Sequence, residues 1–298
     1  MITPATLLSI AIFSGPSFLL LGLLYLYRWH RRRKGLKTPL TRPLLRGPGE
    51  SLRSRIQEAT DAIFEGIFVV AVLPSLIGGV FLAQAYLTGK KVESSLLVGA
   101  IIWFIFTAYY VIKIFRILPK RRDLRLGLQG ELAVAEELNR LILNGYHVYH
   151  DFPAEKFNID HIVVGKAGVF AVETKTRSKR KTGRGLQDAE VIYDGKRLQF
   201  PGGYEENAIS QTTSQALWFE KWLSTAVGDK ITVEPILTLP GWYVKRIKPN
   251  GIPVLNAKEI PGFIMYDRKP VLLDSMITRI IHQVDQRCRD VEPMEPLL

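Results

Sequence analysis

The composition describes a basic and rather apolar chain. It has 298 residues, a formal net charge of +12 and 47% hydrophobic residues, and this length is enough for one or two domains. Its single cysteine, Cys288, excludes a disulfide within the chain, which fits a reducing compartment. A chain that is both basic and apolar suggests membrane segments joined to a soluble part.

Three long and mostly apolar tracts lie in the first 118 residues. They predict transmembrane helices at about 6–27, 66–87 and 94–115, because a bilayer crossing takes about 20 helical residues. A cleaved signal peptide is the alternative for the first tract, but the tract is too long and its basic cluster follows it. Residues 1–118 are therefore predicted to be an all-α membrane region with a basic cytoplasmic loop at 28–62.

Basic residues set the predicted orientation. Clusters at 28–37 and 120–125 follow the first and third tracts, which places both clusters and the C-terminal region in the cytoplasm and the N-terminus outside. Because no tract carries a charge near its middle, an anchor in the cell membrane is favoured over a channel or a sensor. The first basic cluster also suits the anionic surface of a lipid bilayer.

Residues 119–298 have the pattern of a cytosolic α/β domain. Helical spacing of apolar residues alternates with short apolar runs bounded by turn residues. Helices are predicted within 124–144, 206–224 and 271–288, and strands within 146–152, 159–164, 169–174, 190–200 and 231–240. Such an order predicts a mixed central sheet flanked by helices.

Charged residues interrupt the apolar strand pair of this sheet. Asp160 lies near the start of the first strand, and Glu173 and Lys175 share a face at the end of the second. The turn between the strands brings that start and that end together. Because a buried charge without a partner costs several kcal/mol, the three groups must be paired or bind something.

Two predicted helices add polar groups to the same end of the sheet. Glu131 lies on or beside the core-facing stripe of the first helix, and Gln211 and Gln215 lie four residues apart on the second. Acids this close repel one another unless a cation lies among them. Without a histidine or cysteine cluster at ligand spacing, the pattern favours a hard cation, Mg²⁺ or Mn²⁺, that would polarise a phosphodiester.

Four segments then carry a family resemblance: "GLQGELAVAEELNRL", "NIDHIVVGKAGVFAVETKT", "VIYDGKRLQFP" and "NAISQ". Together they resemble the nuclease-related domain (NERD) family of the PD-(D/E)xK nuclease superfamily, over about 127–223. The resemblance implies a restriction-endonuclease-like fold and Mg²⁺-dependent or Mn²⁺-dependent hydrolysis of nucleic acid. It does not settle which nucleic acid is cut, and DNA is expected ahead of RNA. It assigns Asp160 and Glu173 as metal ligands, Lys175 as the catalytic lysine, Glu131 as the helix acid and Gln211 as the helix glutamine.

A basic run follows the second strand directly. The predicted contacts to a phosphate backbone are Arg177, Lys179, Arg180, Lys181 and Arg184. A solvated loop or a contact to anionic lipid are the alternatives for this run. Trp242 and Tyr243, beside Lys245 and Arg246, are candidates for stacking on bases.

Other interpretations remain open at this point. Glu173 and Lys175 alone could be an ion pair on an exposed edge strand. The whole chain could be a catalytically silent module that binds nucleic acid or tethers a complex to the membrane, or a membrane sensor with a nuclease-like reporter domain.

Overall fold

The structure is a computed structural model of the full chain. It describes residues 39–72, 93–179, 185–248, 251–269 and 271–293, together with short pieces between 19 and 30 and between 74 and 89. Most of the first predicted membrane tract, much of the second and Arg180, Lys181 and Arg184 lie outside the described residues.

The elements follow one another in a mixed α/β order. The helices are α1 (Glu50–Ala71), α2 (Glu93–Ile142), α3 (Asn207–Val227), α4 (Ile260–Tyr266) and α5 (Asp274–Cys288). The strands are β1 (Leu44–Leu45), β2 (His147–Pro153), β3 (Asn158–Gly165), β4 (Gly168–Thr174), β5 (Glu190–Tyr193), β6 (Leu198–Phe200), β7 (Gly203–Glu205), β8 (Val233–Thr238), β9 (Tyr243–Arg246), β10 (Val254–Leu255) and β11 (Arg289–Val291). The predicted mixed α/β class is confirmed.

The chain divides into two compact units. One contains residues Met1–Thr41, Ile56–Arg122 and Pro293–Leu298, and the other contains Arg42–Arg55 and Asp123–Glu292. The second unit therefore draws a short segment from far upstream in the sequence.

A five-stranded sheet forms the centre of the second unit. Its order is β10-β8-β4-β3-β2, in which β4, β8 and β10 run parallel and β2, β3 and β4 are joined as antiparallel neighbours. Alternate strand residues enter two separate apolar clusters. One cluster includes side chains of α3 and α5, and the other includes side chains of α2 and α4. Helices thus cover both faces of the sheet, which makes its strands almost continuously buried.

A second sheet, with the order β7-β6-β5-β9, lies in the same unit. Its inner face has its own apolar cluster, which includes Val191, Leu198, Trp242 and Val244. The third sheet is small and pairs β1 with β11 in antiparallel fashion. This pairing joins the upstream segment to the end of α5.

Transmembrane helices and a basic loop are the features predicted for the N-terminal region. Within the described residues, which omit much of the predicted spans, no helix offers an apolar run of the length that a bilayer crossing requires. Residues 44–45 form a strand and α1 begins at Glu50, so the predicted basic loop at 28–62 contains regular structure, while its cytoplasmic location stays a prediction. Arg46, within this loop, pairs with the buried carboxylate of Asp151 at 2.9 Å.

Candidate active site

Two carboxylates lie side by side where β3 begins and β4 ends. The last registered pair between these strands is His161 with Val172, and Asp160 and Glu173 are the next residues on either side. Asp160 Oδ2 accepts a hydrogen bond of 2.7 Å from the Thr174 main-chain N–H. Glu173 is only 6% exposed although it is acidic. The structure therefore brings together the two acids that the resemblance assigned as metal ligands.

Helix α3 supplies the amide partners of Glu173. Gln211 Nε2 donates to Glu173 Oε1 at 2.7 Å, and the buried Gln215 side chain lies near enough to lower the pKa of this carboxyl group. One turn of helix separates the two glutamines, so both point at the same strand end. Among the described residues, Glu173 Oε2 has no hydrogen-bond partner.

Lys175 follows Glu173 by two residues and is half-buried. Its main-chain N–H donates to the Thr238 carbonyl at 2.9 Å, which continues the pairing with β8. Its ammonium charge lowers the pKa of both Asp160 and Glu173. Lys175 therefore lies close enough to act on both acids.

Glu131 reaches the same region from α2, and a glycine makes this possible. Gly130 lies so close to Thr176, the second residue after β4, that a Cβ built on it would be 1.7 Å from Thr176 Oγ1. Glu131, the next residue, is 7% exposed, and within the described chain its Oε2 has no hydrogen-bond partner. The close approach at Gly130 thus carries the helix acid to the sheet end.

Burial and mutual repulsion dominate the electrostatics of these acids. Burial, assisted by the charges of Asp160 and Asp151, raises the pKa of Glu131 to about 9. Burial raises the pKa of Asp160 to about 7, against the opposing effects of the Thr174 N–H and Lys175. Burial and the charge of Asp160 raise the pKa of Glu173 well above its ordinary value. The protein alone therefore disfavours three simultaneous negative charges here.

Sequence reading missed Asp151, which lies between the registered pairs His150–His161 and Phe152–Ile159. It is 1% exposed and has a left-handed backbone with φ of 49°, a conformation that aspartate tolerates better than most residues. Its carboxylate raises the pKa of both Asp160 and Glu131. No pattern around Asp151 signalled this, because its partners Arg46 and Ser51 lie about a hundred positions upstream.

His161 follows Asp160 in β3, so its side chain lies on the opposite face of the strand. It is fully buried, and its Nδ1 lies 2.9 Å from Nδ1 of His150. Burial lowers the pKa of His150 to about 4 and that of His161 well below its usual value. Both imidazoles are therefore neutral near pH 7, and one donates to the other.

The described part of the basic run is only partly free to bind phosphate. The Arg177 guanidinium pairs with Glu205 at 2.7 Å and lies 4.6 Å from the centre of the Phe200 ring. Lys179 is exposed, with Nζ 5.5 Å from the Trp242 ring centre. Trp242 itself is 3% exposed, which rules it out as a stacking surface, whereas Tyr243 is 67% exposed.

The donor set fits a hard divalent cation that is held by few protein ligands. In the part of the chain that the structure describes, Glu173 Oε2 and Glu131 Oε2 are buried oxygens without hydrogen-bond partners, and a cation between carboxylates would replace the protons that their raised pKa values imply. Across the described ranges, no group of three or more His, Cys, Asp or Glu side chains could hold a metal ion. Two carboxylates, however, are what Mg²⁺ commonly takes from a protein when waters and phosphate oxygens complete its shell.

Comparison with known proteins gives one match to this region. Residues 126–240 match the family model of the nuclease-related domain. The matched range contains all five residues of the predicted catalytic set and excludes the upstream segment 42–55. Neither the curated proteins nor the solved structures contain a match to the chain.

Gly130→Ala tests the close approach of α2 to β4. We expect a loss of stability of about 1–3 kcal/mol, because the new methyl group overlaps Thr176. Denaturant unfolding of the full-length protein measures the loss, and replacing Thr176 by alanine in the same chain should restore part of it. Gly262→Ala is the matched control, since within the described residues no atom lies within 4 Å of its added Cβ. Equal stability of the two single variants would contradict the assignment.

The raised carboxyl pKa values predict an unusual pH dependence. A folded-state pKa above the unfolded value of about 4 gives stability that is complete below pH 4 and is lost as pH rises through the folded value. With a chelator present, the melting temperature should therefore fall from pH 7 to pH 9, the range in which Asp160 and Glu131 ionise.

Mn²⁺ should reduce this loss, because it compensates the new charges. Glu131→Gln should flatten the pH profile in chelator, whereas the exposed Glu136→Gln on the same helix should not. A melting temperature that rises over this range in chelator would contradict the burial of these acids. Thermal unfolding at matched ionic strength measures all of these variants.

Proposed function

We propose that this chain is a membrane-attached nuclease that hydrolyses phosphodiester bonds of DNA or RNA, with DNA as the first candidate, by a divalent-metal mechanism on the cytoplasmic face. One observation carries the proposal. Glu173 is a buried carboxylate beside Asp160, is oriented by Gln211, and has one oxygen without a partner among the described residues. The family match supports the nuclease-like class, and the restriction-endonuclease-like fold is part of the same proposal.

Each residue of the site has a distinct task in this mechanism. Asp160 and Glu173 would hold the Mg²⁺ or Mn²⁺ ion, which when bound supplies charge to the scissile phosphate and lowers the pKa of a water. Gln211 fixes one oxygen of Glu173, so that the other oxygen is left for the ion. Lys175 lies on the same strand face and would neutralise phosphate charge or orient the attacking water. Glu131 would take or hold a proton at the edge of the site.

The nucleic acid would approach along the segment that follows the C-terminal end of β4. Lys179 is exposed in this segment and can contact a phosphate. Arg177 instead anchors the segment, through its ion pair with Glu205 and its contact with the Phe200 ring. Arg180, Lys181 and Arg184 extend the same charge in the sequence. The exposed Tyr243 ring offers a surface for base stacking.

Membrane attachment rests on the apolar tracts and on the surface of α2. Ten large apolar side chains between positions 101 and 118 are at least 39% exposed, and they lie on all sides of the helix. They are Ile101, Trp103, Phe104, Ile105, Phe106, Tyr109, Val111, Ile112, Phe115 and Leu118. Exposing so large an apolar surface to water is unfavourable, and the acyl chains of a lipid bilayer would cover it.

A catalytically silent binding module is the second candidate. The observation that favours it is the missing cluster of three or more metal-ligating side chains in the described part of the chain. Such a module would bind nucleic acid in a salt-sensitive way without cleaving it.

Cleavage assays with the full-length protein separate the two candidates. Labelled DNA and RNA are incubated with Mg²⁺ or Mn²⁺, and we expect Glu173→Ala and Lys175→Ala each to lower the cleavage rate at least about a hundredfold, because each removes a charge at the reacting phosphate. The exposed Glu136→Ala and Lys221→Ala variants are the charge-matched controls. Cleavage that persists in both site variants would contradict the site, and salt-sensitive binding without turnover would favour the silent module.

Fractionation tests membrane attachment. The expressed protein should stay in the membrane pellet after an alkaline wash, because buried apolar surface and not charge would hold it there. Protease added to sealed cells should leave the C-terminal region intact, and it should digest that region after permeabilisation. Release of the full-length chain by the alkaline wash would contradict the proposal.

A further inference from the structure

The segment Arg42–Arg55, called the strap here, packs with the α/β unit although it precedes the matched domain by about seventy residues. Its strand β1 pairs with β11, and the Arg46 N–H donates to the Cys288 carbonyl at 3.0 Å. Its helical end begins at Glu50. The first part of the strap is thus attached to the C-terminal end of α5 and to the strand that follows it.

Arg46 and Ser51 of the strap neutralise Asp151. Arg46 Nη1 lies 2.9 Å from Asp151 Oδ2, and its other guanidinium nitrogens bind Asp290. Ser51 donates to Asp151 twice, from its main-chain N–H at 2.9 Å and from Oγ at 2.6 Å. The negative charge of Asp151 raises the pKa of Asp160 and of Glu131. The bonds from Arg46 and Ser51 therefore influence the electrostatic environment of both acids.

Gly49 of the strap contacts Glu131 directly. Its main-chain N–H lowers the pKa of the Glu131 carboxyl group, against the stronger effect of burial. Gly49 has φ of 69°, and a Cβ built on it would lie 2.3 Å from Leu128 Cδ1 and 3.5 Å from Glu131 Oε2. Only glycine permits this conformation at this distance.

We propose that the strap is a positioning element of the candidate active site, and that it holds Glu131 through Gly49 and neutralises Asp151 through Arg46 and Ser51. This inference rests on the proposed function for the role of Glu131. It places residues outside the nuclease-related domain in the construction of the site, so the domain as matched lacks two contacts that the site uses. Gly49, Arg46 and Ser51 act through Glu131 and Asp151 and do not touch the substrate.

A spectroscopic experiment tests the Gly49 contact without reference to activity. The full-length protein is labelled with [¹⁵N]glycine, and amide spectra are recorded for the wild type and for Glu131→Ala. The Gly49 amide proton should shift upfield in the variant, because it loses its interaction with a neighbouring carboxylate. Gly47 should stay in place, and Glu136→Ala should move neither signal. A Gly49 amide chemical shift that is the same in the wild type and in Glu131→Ala would overturn the proposal.

Metal affinity tests the consequence for the site. Gly49→Ala should weaken Mn²⁺ binding about tenfold, the size typical of losing a group that orients a metal site. Gly47→Ala is the matched control within the strap, since in the described structure its added Cβ meets only Glu50 Oε2, at 3.8 Å. Arg46→Ala should weaken binding as well, and Arg46→Lys should restore part of it by returning a positive charge to Asp151.

The outcomes distinguish this inference from the proposed function. Weakened Mn²⁺ binding in Gly49→Ala without any nuclease activity in the wild type would support the strap and contradict the enzyme. Unchanged Mn²⁺ binding in Gly49→Ala and Arg46→Ala would overturn the strap and leave the enzyme standing. If the wild type bound no Mn²⁺, the glycine spectra would still decide whether the strap holds Glu131.

Discussion

The burial of acidic side chains at one end of the central sheet is the constraint on which the rest of the site depends. Glu173 and Glu131 are almost inaccessible to water, and burial is the largest cause of the raised pKa of each. Holding such groups costs free energy that a merely structural position would not require. Their neighbours accordingly divide into groups that orient an oxygen, such as Gln211, and groups that supply positive charge, such as Lys175.

Close backbone approach is the means by which distant segments reach this sheet end. Gly130 lets α2 approach Thr176, just beyond the end of β4, and Gly49 lets the strap reach Glu131 in a left-handed conformation. A side chain at either position would push a neighbouring element away. The two glycines therefore help to determine where the Glu131 carboxylate lies, although neither glycine has a side chain that could take part in chemistry.

The strap also changes where the working unit begins. The matched domain starts at residue 126, yet Asp151 inside it is satisfied by Arg46 and Ser51 from the strap. Asn158 donates to the same carboxylate at 3.0 Å, so the partners of one buried acid come from two distant parts of the chain. Without the strap, Asp151 would be a largely unpaired charge in the interior, which is costly.

The sequence by itself determined the mixed α/β class and the convergence of Asp160 and Glu173, because the periodicity of strands and a short turn fix which residues share a face and an end. It also indicated Gln211, which lies one helical turn from Gln215. Only the tertiary structure decided the burial of Trp242, the pairing of Arg177 with Glu205 and the place of Arg46 beside Asp151. Those contacts join residues that no local pattern links, so their energies depend on the folded packing and leave no periodic signal in the chain.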